Sequence, residues 1–186
     1  MPTKLKRTAA VDPADGRARC KWAAGDAMLA TYHDREWGRP IGTDAGHLER
    51  MTLEVFQCGL SWRIVLVKRA ALRAAFFRFA PQRVAALSRR DIDRIASDPA
   101  VIRNRRKIEA TVDNARRFVA IAEVHGSYRR WLNALPAALP RQRAALYPLF
   151  RETFRFMGPE TTKCYLMGVG KIDAAHDRNC WMRNGS

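Results

Sequence analysis

The sequence predicts an all-α fold. Apolar residues recur at helical spacing in most segments after Cys20, and caps and stop signals punctuate them. No stretch rich in Val and Ile alternates between hairpin turns as a strand does. Residues 1–19 are rich in Pro, Gly and charge with little apolar content, and are expected to form a flexible basic tail. Residues 20–186 are expected to form a single domain. Its first segment, "DAMLATYH", follows the cap Asp26. "TDAGHLERMTLEVFQCG" opens on a Thr/Asp cap signal, carries Leu48, Met51 and Val55 at helical spacing, and stops at Gly59. Glu49 and Arg50 are expected on its exposed face. "SWRIVLVKRAALRAAFFRF" starts at the cap Ser61 and is expected to run helical to just before Pro81. "PQRVAAL" begins with proline, which the first helical turn accepts, and "SRRDIDRIAS" opens on a Ser-x-x-Asp capping box. "RRKIEATVDNARRFVAIAEVHG" is a long amphipathic helix ending at Gly126. "SYRRWLNAL" and "RQRAALYPLFRETF" supply two more, and "GPETTKCYLMGVG" is a turn leading into the last. No internal repeat is visible.

Lys and Arg number 34 against 18 Asp and Glu, so the 186-residue chain carries a net charge of +16. Such a field attracts polyanions, and nucleic acid is the expected partner. An anionic membrane surface fits less well, because the basic residues are spread along the chain. Charges interrupt every apolar run of membrane-spanning length, and the first residues lack the apolar segment of a secretory signal. A reducing cytoplasm is therefore expected, with the four cysteines acting as thiols or metal ligands.

Cys20 and His33 stand near the start of the domain, and His176 and Cys180 form an H-x₃-C pair near its end. Two thiolates and two imidazoles suit a tetrahedral zinc ion. The same four residues also fit two buried cysteines and two ordinary histidines, and the residues alone leave both readings open. Cys58 and Cys164 lie within apolar helical patterns and read as core filling; His47 and His125 have charged neighbours and read as surface.

A second set comprises Tyr32, Trp37, Glu54 and Trp62, with Trp22 as a further member. A base taken out of a duplex needs flat faces to stack on and a polar group for its edge. A carboxylate among aromatic rings would in addition favour a cationic ligand. The plainer alternative is a set of core aromatics and a solvated glutamate. Against it, Glu54 lies between Leu53 and the apolar pair Val55–Phe56.

The segments "RCKW", "TYHDREWG", "LEVFQCGLSW", "VLVKRAALRAAFFRF", "VIRNRRKIEATVDNAR" and "FRFMGPETTKCYLMGVG", with the closing H-x₃-C, resemble the 3-methyladenine DNA glycosylase I family of the helix-hairpin-helix glycosylase superfamily. The resemblance runs from Cys20 to about Cys180. It implies an all-α helix-hairpin-helix glycosylase fold of two lobes with the base pocket between them. It further implies one structural zinc ion per chain on Cys20, His33, His176 and Cys180, joining the two ends. Base-binding roles carry over to Glu54, Tyr32 and Trp62, with Trp22 and Trp37 as further pocket aromatics, and Glu54 is the residue expected to serve catalysis. Leu60 matches the residue that fills the gap left by a flipped nucleotide, with Gln57 beside it. Gly158, in the hairpin "FRFMGPET", would let backbone amides approach a phosphate. The implied activity is hydrolytic release of 3-methyladenine from alkylated double-stranded DNA by a monomer, leaving an abasic site without strand cleavage. Asp173 and Asp177 flank the zinc histidine and are not expected to be catalytic. Val55 departs from the small residue found in many relatives, and "GSYRRWLNALPAALPRQRAALYPLF" matches only loosely. An inactive zinc-clasped protein that binds nucleic acid or damaged bases is the alternative, against which the intact Tyr32, Glu54 and Trp62 count.

Overall fold

The computed structural model describes residues 8–184. Among them are nine α-helices: α1 (Ala27–Arg35), α2 (Asp44–Gln57), α3 (Trp62–Ala75), α4 (Pro81–Ala85), α5 (Arg89–Ser97), α6 (Arg105–His125), α7 (Tyr128–Ala134), α8 (Pro140–Thr153) and α9 (Pro159–Gly168). The boundaries obey local chemistry. The side chains of Asp26, Thr43 and Ser61 cap α1, α2 and α3, Ser88 and Asp91 form a capping box on α5, and Gly126 ends α6 with a φ of +79°. No helix among the described residues is long and apolar enough to cross a membrane.

α2 is the central helix. It packs on α3, α6 and α9, and every residue from His47 to Phe56 is buried. Leu48, Met51, Val55 and Phe56 join the main core with Phe118, Tyr128, Phe150 and Tyr165. A smaller cluster gathers Tyr32, Trp37 and Leu66 with Trp22 and Leu29, and Trp62 packs against both cores.

Three expectations are corrected along α2 and α3. Glu49 and Arg50 are buried, not exposed, because ion pairs replace the water they lose: Arg69 reaches Glu49 at 2.6 Å, and Arg50 reaches Glu36 at 3.4 Å. His47 is likewise buried, its Nδ1 3.0 Å from the Tyr165 hydroxyl, and burial pushes its pKa down to about 4. The helix begun by Ser61 stops at Ala75; Phe77, Arg78 and Phe79 turn left-handed with φ of +50°, +53° and +61°. That turn lets Phe76 and Phe79 stack 5.6 Å apart inside the core, where their burial outweighs continued helix.

The expected tail is corrected in part. Residues 1–7 lie outside the described residues. Beyond them, β1 (Ala10–Val11) and β2 (Ala18–Arg19) pair antiparallel, with Ala10 opposite Arg19. Asp12 and Asp15 bind the buried Arg19 at 3.1 and 2.6 Å, and Ala9 donates to the Arg178 carbonyl at 2.8 Å. Acidic residues amid the basic ones thus hold this segment on itself, and its backbone meets the last part of the chain at Arg178. Cys58 and Cys164 are half-buried at the edge of the core, and His125 is exposed as expected.

Candidate functional site

Cys20 comes directly after β2, His33 lies in the last turn of α1, and His176 and Cys180 lie on the segment after α9. Their ligand atoms all fall within 4.8 Å of one another. Cys20 Sγ is 3.6 Å from His176 Nδ1, and Cys180 Sγ is 3.4 Å from His33 Nε2 and 3.5 Å from His176 Nδ1. In a zinc tetrahedron, bonds of about 2.3 Å to sulfur and about 2.0 Å to nitrogen set neighbouring S and N about 3.5 Å apart. The cluster therefore fits the ion in spacing as well as in donor type. The group is oriented from behind: His33 Nδ1 lies 2.8 Å from Asp34 Oδ1, and Asp34 accepts from Arg19 and from the Trp181 indole. Without a cation, burial and the neighbouring Cys180 push the Cys20 thiol up to about 12.

The aromatic set comes together beside this cluster. Trp37 packs on His33 and His176 with centroids 5.9 and 4.8 Å away. Trp22 meets Tyr32 and Trp37 edge-on at 6.1 and 5.5 Å. Tyr32 and Trp62 lie 5.0 Å apart, tilted by 30°. A base between two rings needs about 7 Å, twice a van der Waals contact, so none enters between Tyr32 and Trp62 unless they separate.

Glu54 sits at the heart of the site. It is 2% exposed, and its Oε1 has no hydrogen-bond partner. Burial pushes its carboxyl up to about 8, with Arg50 acting in the opposite direction. Gly168 at the end of α9 leaves the space: a Cβ there would stand 3.5 Å from Glu54 Oε1, 3.7 Å from Arg50 Nη1 and 3.7 Å from the Trp37 ring.

The Leu60 turn joins α2 to α3. Gln57 braces it, accepting from Leu60 N at 2.8 Å and donating to the Leu60 carbonyl at 3.2 Å. Lys107 of α6 donates to the carbonyls of Phe56 and Cys58 at 2.9 and 2.5 Å and so closes the end of α2. Cys58 Sγ lies 3.3 Å from Thr161 Oγ1 and brings the turn beside the start of α9. There Gly158 is the cap residue, and no side chain claims the first-turn amides. A groove of about 800 Å³ runs past this hairpin, lined by Arg116, Arg117, Arg151 and Arg155 and also by Glu152 and Asp113, the last paired with Arg116 and Arg155.

Sequence pattern alone does not place Arg50, Lys107 or the groove arginines beside the predicted site residues. The "RR" pair within "DNARRF" is the available signal for the groove; Arg50 and Lys107 give none, since their partners lie far away in the chain.

The family model for methyladenine glycosylases matches residues 22–184. A DNA-3-methyladenine glycosylase of Haemophilus influenzae is 30% identical over 171 residues, 83% of this chain and 92% of the relative. DNA-3-methyladenine glycosylase 1 of Escherichia coli is 34% identical over 164 residues, 79% of this chain and 86% of the relative. A solved structure of 3-methyladenine DNA glycosylase I from Staphylococcus aureus, described as the structural basis of 3-methyladenine recognition, aligns with a TM-score of 0.76 at 28% identity, over 84% of this chain and 92% of that one.

Proposed function

The chain belongs to the methyladenine glycosylase family, and from that membership we propose that it is a base-excision repair hydrolase releasing 3-methyladenine from alkylated DNA. The observation that carries this reading is Glu54, a buried carboxyl whose Oε1 lacks any donor and borders the space beside Gly168 together with the Trp37 ring. Such an oxygen is costly to bury unless a ligand completes it. Adenine methylated at N3 brings both a positive charge and an amine that donates. Tyr32, Trp62, Trp22 and Trp37 would supply its apolar surroundings. Methylation makes the base a good leaving group, departing neutral without a proton from the protein. The remaining task is to hold the flipped nucleotide while positive charge develops on the sugar, which the DNA phosphates and an approaching water would stabilise. No lysine nucleophile is assigned, so the product is an abasic site in an uncut strand.

In this reading Leu60 fills the gap in the duplex, steadied by Gln57, while Gly158 and the α9 amides receive a phosphate beside the arginine groove. Zinc bound by Cys20, His33, His176 and Cys180 would have no open position for water, which suits a structural clasp and not a catalytic centre. Cysteines that serve as thiols or metal ligands accord with a cytoplasmic protein, and we take it to act as a monomer.

Chromatography of bases released from methylated DNA tests the activity. 3-Methyladenine is the expected product, and binding of methylated DNA without base release would instead establish the inactive damage-binding alternative. Affinity for undamaged duplex is expected to fall steeply with salt, log K against log salt having a slope of about −0.9 for each phosphate neutralised. A flat response measured by fluorescence anisotropy would remove the arginine groove as a backbone contact.

A further inference from the structure

Arg50 lies outside the base-recognition set yet touches it. Its guanidinium is 4% exposed, sits 4.6 Å from the centroid of the Tyr32 ring, and donates a hydrogen bond to Tyr32 Oη. On its other side it reaches Glu36, which Arg69 also engages at 2.9 Å; Arg69 in turn binds Glu49. Three arginines, Arg50, Arg69 and Arg73, thus meet two glutamates, Glu36 and Glu49, and none of the three pairs with Glu54. Glu54 Oε1 remains outside this chain of pairs although Arg50 Nη1 and Glu54 Oε1 both border Gly168.

A guanidinium has donors only, whereas a phenol both donates and accepts. Arg50 therefore occupies an acceptor direction of Tyr32 Oη, and the hydroxyl hydrogen must point away from it. That hydrogen stays in place: burial drives the phenol pKa far above its ordinary value, Arg50 opposes this, and Glu54 and Glu36 add to it. Left alone, a tyrosine could turn its hydroxyl to suit a donor or an acceptor. With Arg50 beside it, only the donor faces a ligand.

We propose that Arg50 is a positioning residue that fixes Tyr32 as a hydrogen-bond donor, so that Tyr32 and Glu54 together present a donor beside an acceptor to the base. This rests on the pocket being an adenine site. Adenine carries an acceptor ring nitrogen next to its donating amine, N7 on one side and N1 on the other, and matches the pair. Guanine places O6 beside N7, two acceptors, and would set an acceptor against Glu54 wherever that carboxyl is ionised. Arg50 would then contribute to selectivity among alkylated purines without touching one.

Two variants change what residue 50 offers Tyr32, and a Tyr32→Phe background separates that change from their difference in charge. Arg50→Lys keeps a donor-only group; Arg50→Gln offers an oxygen that accepts the Tyr32 hydrogen and withdraws it from the ligand. Dissociation constants for free 3-methyladenine are read from tryptophan fluorescence, in the parent and in a Tyr32→Phe background. Arg50→Gln is expected to bind about tenfold more weakly, the worth of one hydrogen bond. Arg50→Lys should stay within about threefold of the parent, since the donor is retained. In the Tyr32→Phe background the two should not differ. Equal binding by the Lys and Gln variants, or a difference that survives Tyr32→Phe, overturns the role of Arg50. Should Arg50→Gln fail to fold, ligands replace the variant: either 1-deaza- or 7-deaza-3-methyladenine is expected to bind the parent about tenfold more weakly than 3-methyladenine, and Tyr32→Phe no more weakly. Neither analogue losing affinity overturns the proposal. A parent protein that binds no 3-methyladenine overturns the adenine reading of the site, and this inference with it; a parent that binds it while the variants behave alike overturns this inference alone.

Discussion

Cys180→Ala is expected to lower the melting temperature by more than about 10 °C, while Cys58→Ala shifts it by only a few degrees. In a domain of this size each kcal/mol moves the midpoint by about 2–4 °C. Structural zinc contributes roughly 10–16 kcal/mol in isolated finger peptides, so about half of that amount gives the larger shift. The site joins residues at opposite ends of the domain, and the ordering of a long loop in the unfolded chain adds to the effect. Cys58 Sγ reaches Thr161 Oγ1 and the Glu54 carbonyl of its own helix, and its loss leaves no metal ligand behind. Elemental analysis of the parent should find about one zinc per chain. Equal melting temperatures for the two variants, or a metal-free parent as stable as the loaded one, would refute the clasp.

Glu54→Gln is expected to weaken binding of 3-methyladenine by one to two orders of magnitude, as a charge-assisted hydrogen bond is worth about 1.5–3 kcal/mol. The chemical step, once the nucleotide is bound, should not slow with it. The base loses its positive charge as it departs, so the attraction is greater before the transition state than in it, and only the difference between the two states affects the rate. Stability should change in a direction that depends on pH. The carboxyl holds its proton to about 8 in the folded protein, against 4.5 as its ordinary value, because it is buried. Its contribution to stability is complete below the lower value and is lost as pH rises toward the upper one. Gln loses nothing over that window, so the melting temperature of Glu54→Gln relative to the parent should rise with pH, by at most about 1.4 kcal/mol per pH unit. A variant that binds 3-methyladenine as tightly as the parent, with a pH-independent difference in melting, would show Glu54 to be an ordinary structural residue.

The helix boundaries are legible in the sequence because their causes are local. Asp26, Thr43, Ser61 and Ser88 each cap a helix that starts at the very next residue, and Gly126 stops the long helix that ends beside it. The Cys and His residues are legible as ligand types, but their convergence depends on the whole fold. Long-range pairing escapes such a reading. Glu49 and Arg50 look like a solvated face until Arg69 and Glu36 are brought to them, and His47 looks exposed until Tyr165 arrives from α9. Asp12 and Asp15 are lost in the basic character of residues 1–19, although they are what secures Arg19. The left-handed turn at Phe77–Phe79 is set by where Phe76 and Phe79 must pack, which helical periodicity does not register.

The placement of Cys20 and His33 against His176 and Cys180 has a mechanical consequence. When a metal joins them, tension applied between the two terminal segments crosses the cluster directly. The helices from α2 to α9 stand outside the line of force. Rupture must begin with ligand bonds, and until those break the pocket around Glu54 and Tyr32 bears no load. Metal supply would then set the force threshold at which the protein can be dismantled.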